Sequence, residues 1–293
     1  MLWWLACTPN SLTKSPPTEA HVVERERSEL VLGGTLEQRV SNVDADLVLF
    51  YGGELEGNLG PCGCGQRPRG GLGRVASYVR ASERRTDAHH LLFFDGYWLD
   101  DREEATENNR ILLEAFEALG VDAANLTVHD LPALGDEIPP WAISANVEGV
   151  TPSRLFELDG HTLGVVAVGA PGSIAFVAGR RLYDPVEGAL AAIEELDADV
   201  VVLMTWGMPE AVSGIVWRGD VDIVIDAARH QGFFAPVDID EAVLVRAQYE
   251  TTRLGELRID WDRGVLVDRQ INLDDGIPED PQIRALREQA EGH

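Results

Sequence analysis

At 293 residues, 45% of them hydrophobic and 25% charged, the chain has the size of one large domain or two small ones and ample material for a buried core. It carries 50 acidic and 24 basic residues, a formal net charge of −26. So acidic a surface repels phosphate backbones and anionic headgroups, which argues against nucleic acid as a partner and against membrane binding through basic patches.

The first residues, MLWWLACTPNSLTKSPPTEAH, are apolar up to Ala6-Cys7 and then rich in Pro, Ser and Thr. This resembles the end of a bacterial lipoprotein signal, in which a cysteine after a small residue is lipidated. The basic region and most of the apolar region of such a signal are absent, and Trp4 stands where leucine is preferred. The resemblance implies a lipid on Cys7, a membrane partner through that anchor, and a place in the bacterial cell envelope. The alternative is a frayed terminus with a buried cysteine. Residues 1–42 are read as signal and linker, 43–275 as one domain and 276–293 as a tail helix. No later segment reaches the ~18 apolar residues of a spanning helix.

DLVLFYGG (46–53) is short, apolar and closed by glycines, the pattern of a buried strand. In GLGRVASYVRASERR, Leu72, Val75, Ala76 and Val79 fall at helix spacing. HLLFFDGYW (90–98) is the next strand. Over 103–120, Ile111, Leu112, Ala115, Phe116 and Leu119 share one helix face that stops at Gly120. VDAANL and AISANV are strand-like. RLFELDGHTLGVVAVGAP reads as a hairpin with Asp159-Gly160 at its turn. DPVEGALAAIEELDADVVVLMTWG is a helix followed by a buried strand, and GDVDIVIDAARH holds another strand. Three amphipathic strands fill 242–273, the last two joined around Asp262–Gly264, and a polar helix closes the chain. Strands apolar on both faces that alternate with helices predict an α/β fold whose sheets are covered by helices. The closing strands make the sheets mixed. In such folds ligands sit in the loops after the strands.

The segment GNLGPCGCGQRPRGGLGRVASYV (57–79) places Cys62, Cys64, Arg67, Arg69 and Arg74 among seven glycines. Cys62 and Cys64 admit three readings: a disulfide turned on Gly63, ligands for a soft metal such as copper or zinc, or two thiols in a packed loop. The three arginines are candidates for binding an anion such as phosphate or carboxylate, or for pairing with Glu54 and Glu56. No Gly-Lys-Ser/Thr follows, so the loop is not a P-loop.

The order of these segments from Asp46 to Leu273 resembles the calcineurin-like metallophosphoesterases, in particular the N-terminal domain of bacterial periplasmic 5'-nucleotidases. GGLGRVASYV, LLFFDG, ALGVDAANLTVHDLPALG, AISANV, GVVAVGAP, DADVVVLMTWG and VDIVIDAARH carry the likeness. The resemblance implies two packed mixed β-sheets flanked by helices, a four-layer sandwich. It also implies two divalent metals at strand ends that activate water against a phosphate ester. The ligand motifs depart from the family. Its Asp-x-His falls on Glu54-Leu55-Glu56. Its Gly-Asp falls near Tyr97-Trp98, beside Asp95 and Asp100. Its Asn-His-Glu falls on Val128-His129-Asp130, its lone His on Trp206 and its His-x-His on Ala228-Arg229-His230.

On this reading Glu54, Glu56, Asp95 and His230 remain as metal candidates and His129 as the catalytic one. Trp98 and Trp206 stand where ligands belong, and an indole cannot ligate a metal. No cofactor is expected, beyond at most one hard divalent cation in a remodelled site. The expected role is non-hydrolytic binding or assembly. The Cys-Gly-Cys loop resembles an exported branch of the family, some of whose members occur with multihaem cytochromes. That implies an envelope electron-transfer partner, although this chain has no haem-attachment motif. A metal-dependent phosphoesterase and a thiol redox or copper module using Cys62 and Cys64 are the alternatives.

Overall fold

The structure, a computed structural model, describes residues 28–62, 68–102, 105–170, 175–227, 235–239 and 241–292. In chain order it runs β1 (Ser28–Val31), α1 (Leu36–Arg39), β2 (Leu47–Gly53), α2 (Leu72–Glu83), β3 (His89–Asp95) and α3 (Thr106–Leu119). Then come β4 (Ala123–Asn125), α4 (Leu131–Leu134), β5 (Ala142–Ile143), β6 (Ser153–Leu158), β7 (His161–Gly169), β8 (Phe176–Val177) and β9 (Arg180–Arg181). The rest is α5 (Pro185–Glu194), β10 (Val200–Trp206), α6 (Pro209–Arg218), β11 (Ile223–Ala227), β12 (Val237–Ile239), β13 (Ala242–Arg246), β14 (Arg253–Asp260), β15 (Gly264–Asn272) and α7 (Pro281–Glu291).

A seven-stranded sheet has the order β1-β15-β14-β2-β3-β4-β5, and a six-stranded sheet the order β12-β13-β11-β10-β7-β6. Strands β2 to β5 are parallel, and β14 joins β2 antiparallel. In the second sheet β7, β10, β11 and β13 are parallel, with β6 and β12 antiparallel at the edges. Both sheets are mixed, as the closing strands imply.

The strand period of two sorts β2 between layers. Leu47, Leu49 and Tyr51 meet Val165, Val202, Met204 and Ile225 between the two sheets. Val48 and Phe50 point the other way and pack with residues of α2 and α3, such as Tyr78 and Phe116, in a cluster that also holds Ile283 of α7. Residues of α5 and α6 cover the outer face of the second sheet, where Leu203 and Val224 meet Ile193 and Ile215. The result is a helix–sheet–sheet–helix sandwich, the fold class the sequence implies.

Local signals fix several helix ends. Asp184 and Asp280 each cap a helix that opens with Pro, accepting hydrogen bonds from the two following helical N–H groups they face. Helix α3 ends at Gly120, whose φ of 70° is the left-handed stop its sequence suggests. Residues 28–40, inside the stretch read as linker, form β1 and α1, and β1 pairs in parallel with β15. Arg39 anchors this stretch by donating to the Asn272 carbonyl and pairing with Asp274. Among the described residues no helix is long and apolar enough to cross a membrane.

Candidate functional site

The ends of parallel strands from both sheets meet, and the loops after β2, β3, β4 and β10 together with Asp226 of β11 bring polar residues to one place. After β2 and β3 the chain turns tightly. Glu54, Glu56 and Tyr97 all hold φ of 41–48°, a left-handed conformation that costs about 1 kcal/mol or more each outside glycine. Three backbone hydrogen bonds keep the two loops in register: Glu54 N–H to Gly96 O, Glu56 N–H to Tyr97 O and Gly57 N–H to Trp98 O. Thr251 clamps the same turn from the side, its hydroxyl donating to the Gly53 carbonyl and accepting from the Gly53 N–H.

Glu54 is fully buried, and the Trp206 indole N–H donates to its Oε1 at 2.9 Å. Gly96 makes room for that indole. A Cβ there would lie 2.2 Å from the Trp206 ring. Glu56 accepts from the Tyr249 hydroxyl at 3.1 Å. Asp95, also fully buried, accepts from Asn125 Nδ2 at 2.7 Å, and that amide donates as well to the Val168 carbonyl. Burial pushes the Asp95 carboxyl well above its usual range. The Asn125 bond opposes this, and the charges of Asp226 and Glu54 reinforce it. The second acceptor atoms of this pair, Asp95 Oδ2 and Asn125 Oδ1, are buried without a hydrogen-bond partner. Asp226, buried at the end of β11, accepts from the Thr205 hydroxyl and lies 3.8 Å from Arg246 Nε.

An aromatic group lies over these acids. His129 packs on Tyr97 (ring centroids 4.3 Å apart) and edge-on to Trp206 (5.1 Å), and its Nδ1 faces Asp101 Oδ2 at 3.2 Å. Burial pushes the Tyr97 hydroxyl up to about 12, with Asp101, Glu56 and Asp100 adding to the shift.

The sequence-derived candidates thus divide. Glu54, Glu56, Asp95 and His129 come together. His230, Cys64, Arg67 and Cys7 lie outside the described residues. Cys62 forms a backbone bridge with Arg69, its N–H donating to the Arg69 carbonyl at 2.7 Å. Arg74 is buried and donates from Nη1 to the carbonyls of Pro68, Gly70 and Leu273, so it ties the glycine loop to the end of β15. The indole of Trp206 and the phenol of Tyr249 are among the partners of Glu54 and Glu56.

Trp98 does not occupy a ligand position. It is buried against Phe116 and Trp141 and donates to the Asn125 carbonyl. The cause is Asp130, whose two oxygens accept from the N–H groups of Trp98, Leu99 and Thr127 and from the Thr127 hydroxyl. The last position of the Asn-His-Glu motif is therefore a clamp that turns the loop inward. The family's asparagine was placed on Val128, yet an asparagine, Asn125, stands at the β4 end against Asp95. Asn125, Asp101, Asp226 and Tyr249 are site residues that sequence reading missed. The one available signal was a lone polar residue ending an apolar strand in VDAANL and VDIVIDA.

Among the described residues, no group of three or more His, Cys, Asp and Glu side chains is arranged to hold a metal ion. Two oxygen donors, Glu54 and Glu56, take hydrogen bonds from Trp206 and Tyr249, and His129 faces Asp101. The described residues do not fit a two-metal centre.

No protein-family model and no curated protein matches the sequence. Solved structures do match the fold. The sulfate thiohydrolase SoxB of Thermus thermophilus superposes with a TM-score of 0.70 at 14% identity, over 85% of this chain and 61% of that one. A 5'-nucleotidase precursor, also from Thermus thermophilus, gives 0.69 at 16% identity, over 84% and 58%. The NAD nucleotidase of Haemophilus influenzae gives 0.69 at 12% identity, over 84% and 60%. The chain thus spans about three fifths of the length of these proteins. Its fold is that of the calcineurin-like metallophosphoesterase domain that these nucleotidases and SoxB carry.

Proposed function

We propose that the chain is a non-hydrolytic binding protein built on the metallophosphoesterase fold. One observation carries the reading: the Trp206 indole donates to the buried Glu54 carboxylate at the strand-end position where the family places a metal ligand. A neutral donor thus bonds the carboxylate at that position, and an indole offers no lone pair to a metal. Lipid anchoring through Cys7 and an assembly role in the bacterial envelope, with a multihaem cytochrome as one kind of partner, belong to the same proposal. They rest on the sequence resemblances alone.

The test is metal content by mass spectrometry, together with turnover of nucleoside monophosphates and p-nitrophenyl phosphate with Mg²⁺, Mn²⁺, Zn²⁺ or Ca²⁺. Substoichiometric metal and no turnover are expected. Metal-dependent turnover that disappears in His129→Ala would establish the second reading, a divergent phosphoesterase. That reading is favoured by one feature, the buried acceptors Asp95 Oδ2 and Asn125 Oδ1, which are without a hydrogen-bond partner at the strand ends.

A further inference from the structure

Beside the strand-end site, the glycine loop and the start of β14 bring two arginines together. Gly70 N–H donates to the Leu273 carbonyl, and Leu273 N–H donates to the Thr252 carbonyl. Gly70 also lies so close to this segment that a Cβ on it would meet Glu250 O at 2.9 Å and Thr252 Cα at 3.4 Å. The residues flanking this tight contact are Arg69, before Gly70, and Arg253, after Thr252. Arg69 is exposed and Arg253 partly buried.

Three observations mark the pair as a place for negative charge. First, among the described residues neither guanidinium makes an ion pair, in a chain with 50 acids to 24 bases. Arg39, Arg80, Arg258 and Arg269, by contrast, each hold a carboxylate. Glu250, the acid nearest in sequence to Arg253, pairs with neither arginine. Second, the two cations act on each other: burial pulls the Arg253 guanidinium below its usual range, and the like charge of Arg69 adds to the shift. An anion beside both would turn that repulsion into attraction. Third, Gln248 is 2% exposed, and its Oε1 accepts from Arg253 Nη1 at 3.5 Å, so its amide lies against this guanidinium. The Nε2 of the same amide is a buried donor without a hydrogen-bond partner. Arg74, the other described arginine of the loop, serves a different end, since its Nη1 holds the loop through three carbonyls.

We infer that Arg69, Arg253 and Gln248 Nε2 bind a doubly charged tetrahedral oxyanion, a phosphate or sulfate group. Charge decides the class. Two guanidiniums without a counter-charge match a dianion, whereas a monocarboxylate leaves one of them unanswered. Guanidinium forks and an amide N–H are the donors that such oxygens take. The group comes either as the free ion or as part of a larger phosphorylated molecule. The inference goes beyond the non-hydrolytic reading and does not depend on it, because Glu54, Asp95 and His129 take no part in it.

The experiment is calorimetry on the full chain at fixed ionic strength and about pH 8, where phosphate is a dianion. The buffer is stripped of metal ions by a chelating resin, so that no cation at the strand ends can take up phosphate. The probes are inorganic phosphate, sulfate and glycerol 3-phosphate, with acetate and chloride as singly charged controls. The dianions are expected to bind, and acetate and chloride to bind at least about tenfold more weakly. Arg253→Gln is expected to weaken phosphate about tenfold or more, the scale of a charge-assisted hydrogen bond lost from a partly buried group. Arg69→Gln should weaken it about two- to fivefold, as for an exposed charge. Arg69→Glu supplies a carboxylate to Arg253 and is expected to abolish binding, with the circular dichroism of the parent retained. Phosphate should accordingly raise the thermal midpoint of the parent and not that of Arg69→Glu. Tighter binding of glycerol 3-phosphate than of inorganic phosphate assigns the site to a phosphorylated molecule, and the reverse assigns it to the free ion. No binding of any dianion, acetate binding as tightly as phosphate, or an unchanged phosphate affinity in Arg69→Glu would overturn the inference. None of those results touches the non-hydrolytic reading, which stands or falls on turnover with metal present.

Discussion

Gly96 and Trp206 share the space of one side chain. The indole fills the place where a Cβ on residue 96 would sit, 2.2 Å from ring carbon, and from there it reaches Glu54. Gly96→Ala must displace the ring and also force alanine to a φ of 62°. Destabilisation of about 2 kcal/mol or more is expected, with a shift in tryptophan emission. Denaturant titration followed by fluorescence measures both. A variant as stable as the parent, with unchanged emission, would show that the indole does not depend on the glycine.

Trp206→Phe keeps a ring but removes the donor to a fully buried carboxylate. Leaving a buried acceptor short of a partner costs about 1–3 kcal/mol. Trp206→Phe is therefore expected to lower the urea midpoint, and Glu54→Gln combined with it should recover part of the loss. A double-mutant cycle that shows no coupling would separate the two residues.

The buried face of β14 holds an ionic network. Glu256 and Arg258 are fully buried and paired at 2.6 Å, and Glu256 also accepts from the Tyr78 hydroxyl at 2.6 Å and from Arg269 at 3.3 Å. Glu256→Ala strands the Arg258 guanidinium in the interior and leaves Arg269 with Glu29. A loss of about 3–5 kcal/mol is expected by calorimetry, far more than for a surface acid. Arg110, which pairs with Glu107 and Glu114 on the exposed side of α3, is the control. Arg110→Ala is expected to leave the unfolding midpoint close to that of the parent.

Asp122 gives the fold a pH dependence. Burial raises its carboxyl to about 6, although the Leu92 N–H bond and Arg154 pull the other way. The unfolded chain ionises near ~3.9, so between roughly pH 4 and 6 the folded state holds more protons than the unfolded one. Stability from this group is complete below that window and lost as pH rises through it. Asp130, raised to about 6 chiefly by its complete burial, acts in the same direction. Denaturation at about pH 5 and about pH 7.5 is expected to show the higher midpoint at the lower pH. Asp122→Asn should remove about 1–2 kcal/mol of that difference, allowing for its partial exposure. An unchanged slope in the variant would assign the dependence elsewhere.

The Cys62 and Cys64 pairing is open to direct measurement. A disulfide within 57–74 would lower the intact mass by two hydrogens against the reduced chain. It would stabilise the fold by less than the ~2–4 kcal/mol of longer bridges. Stoichiometric copper or zinc lost in Cys62→Ser would replace it with the metal reading.

The layers of this fold were legible because its strands are apolar on both faces, as in DLVLFYGG and DADVVVLMTWG, and its helices carry stripes such as Ile111, Leu112, Ala115 and Phe116. The strand-end location of Glu54 and Asp95 was legible for the same reason. The loops were not. Alignment put Trp98 on a ligand position, but the hydrogen bonds that Asp130 accepts turn that residue into the core, and no periodicity encodes such a clamp. Asn125 and Asp226 each end an apolar run with one polar residue, which reads equally well as a strand terminator. Strand β1 went unread because its four residues, SELV, alternate too briefly to carry a signal.

The sheet order has a consequence for when the chain can fold. Strand β14 lies against β2, with Gly255 opposite Tyr51, so the first sheet joins residues about two hundred positions apart. Until the C-terminal hairpin is made, β2 presents an unpaired, wholly apolar edge. During synthesis the N-terminal half therefore waits for residues 253–272 before its sheet closes. A chain cut before Arg253 would leave that edge open and is expected to aggregate rather than fold as a smaller domain.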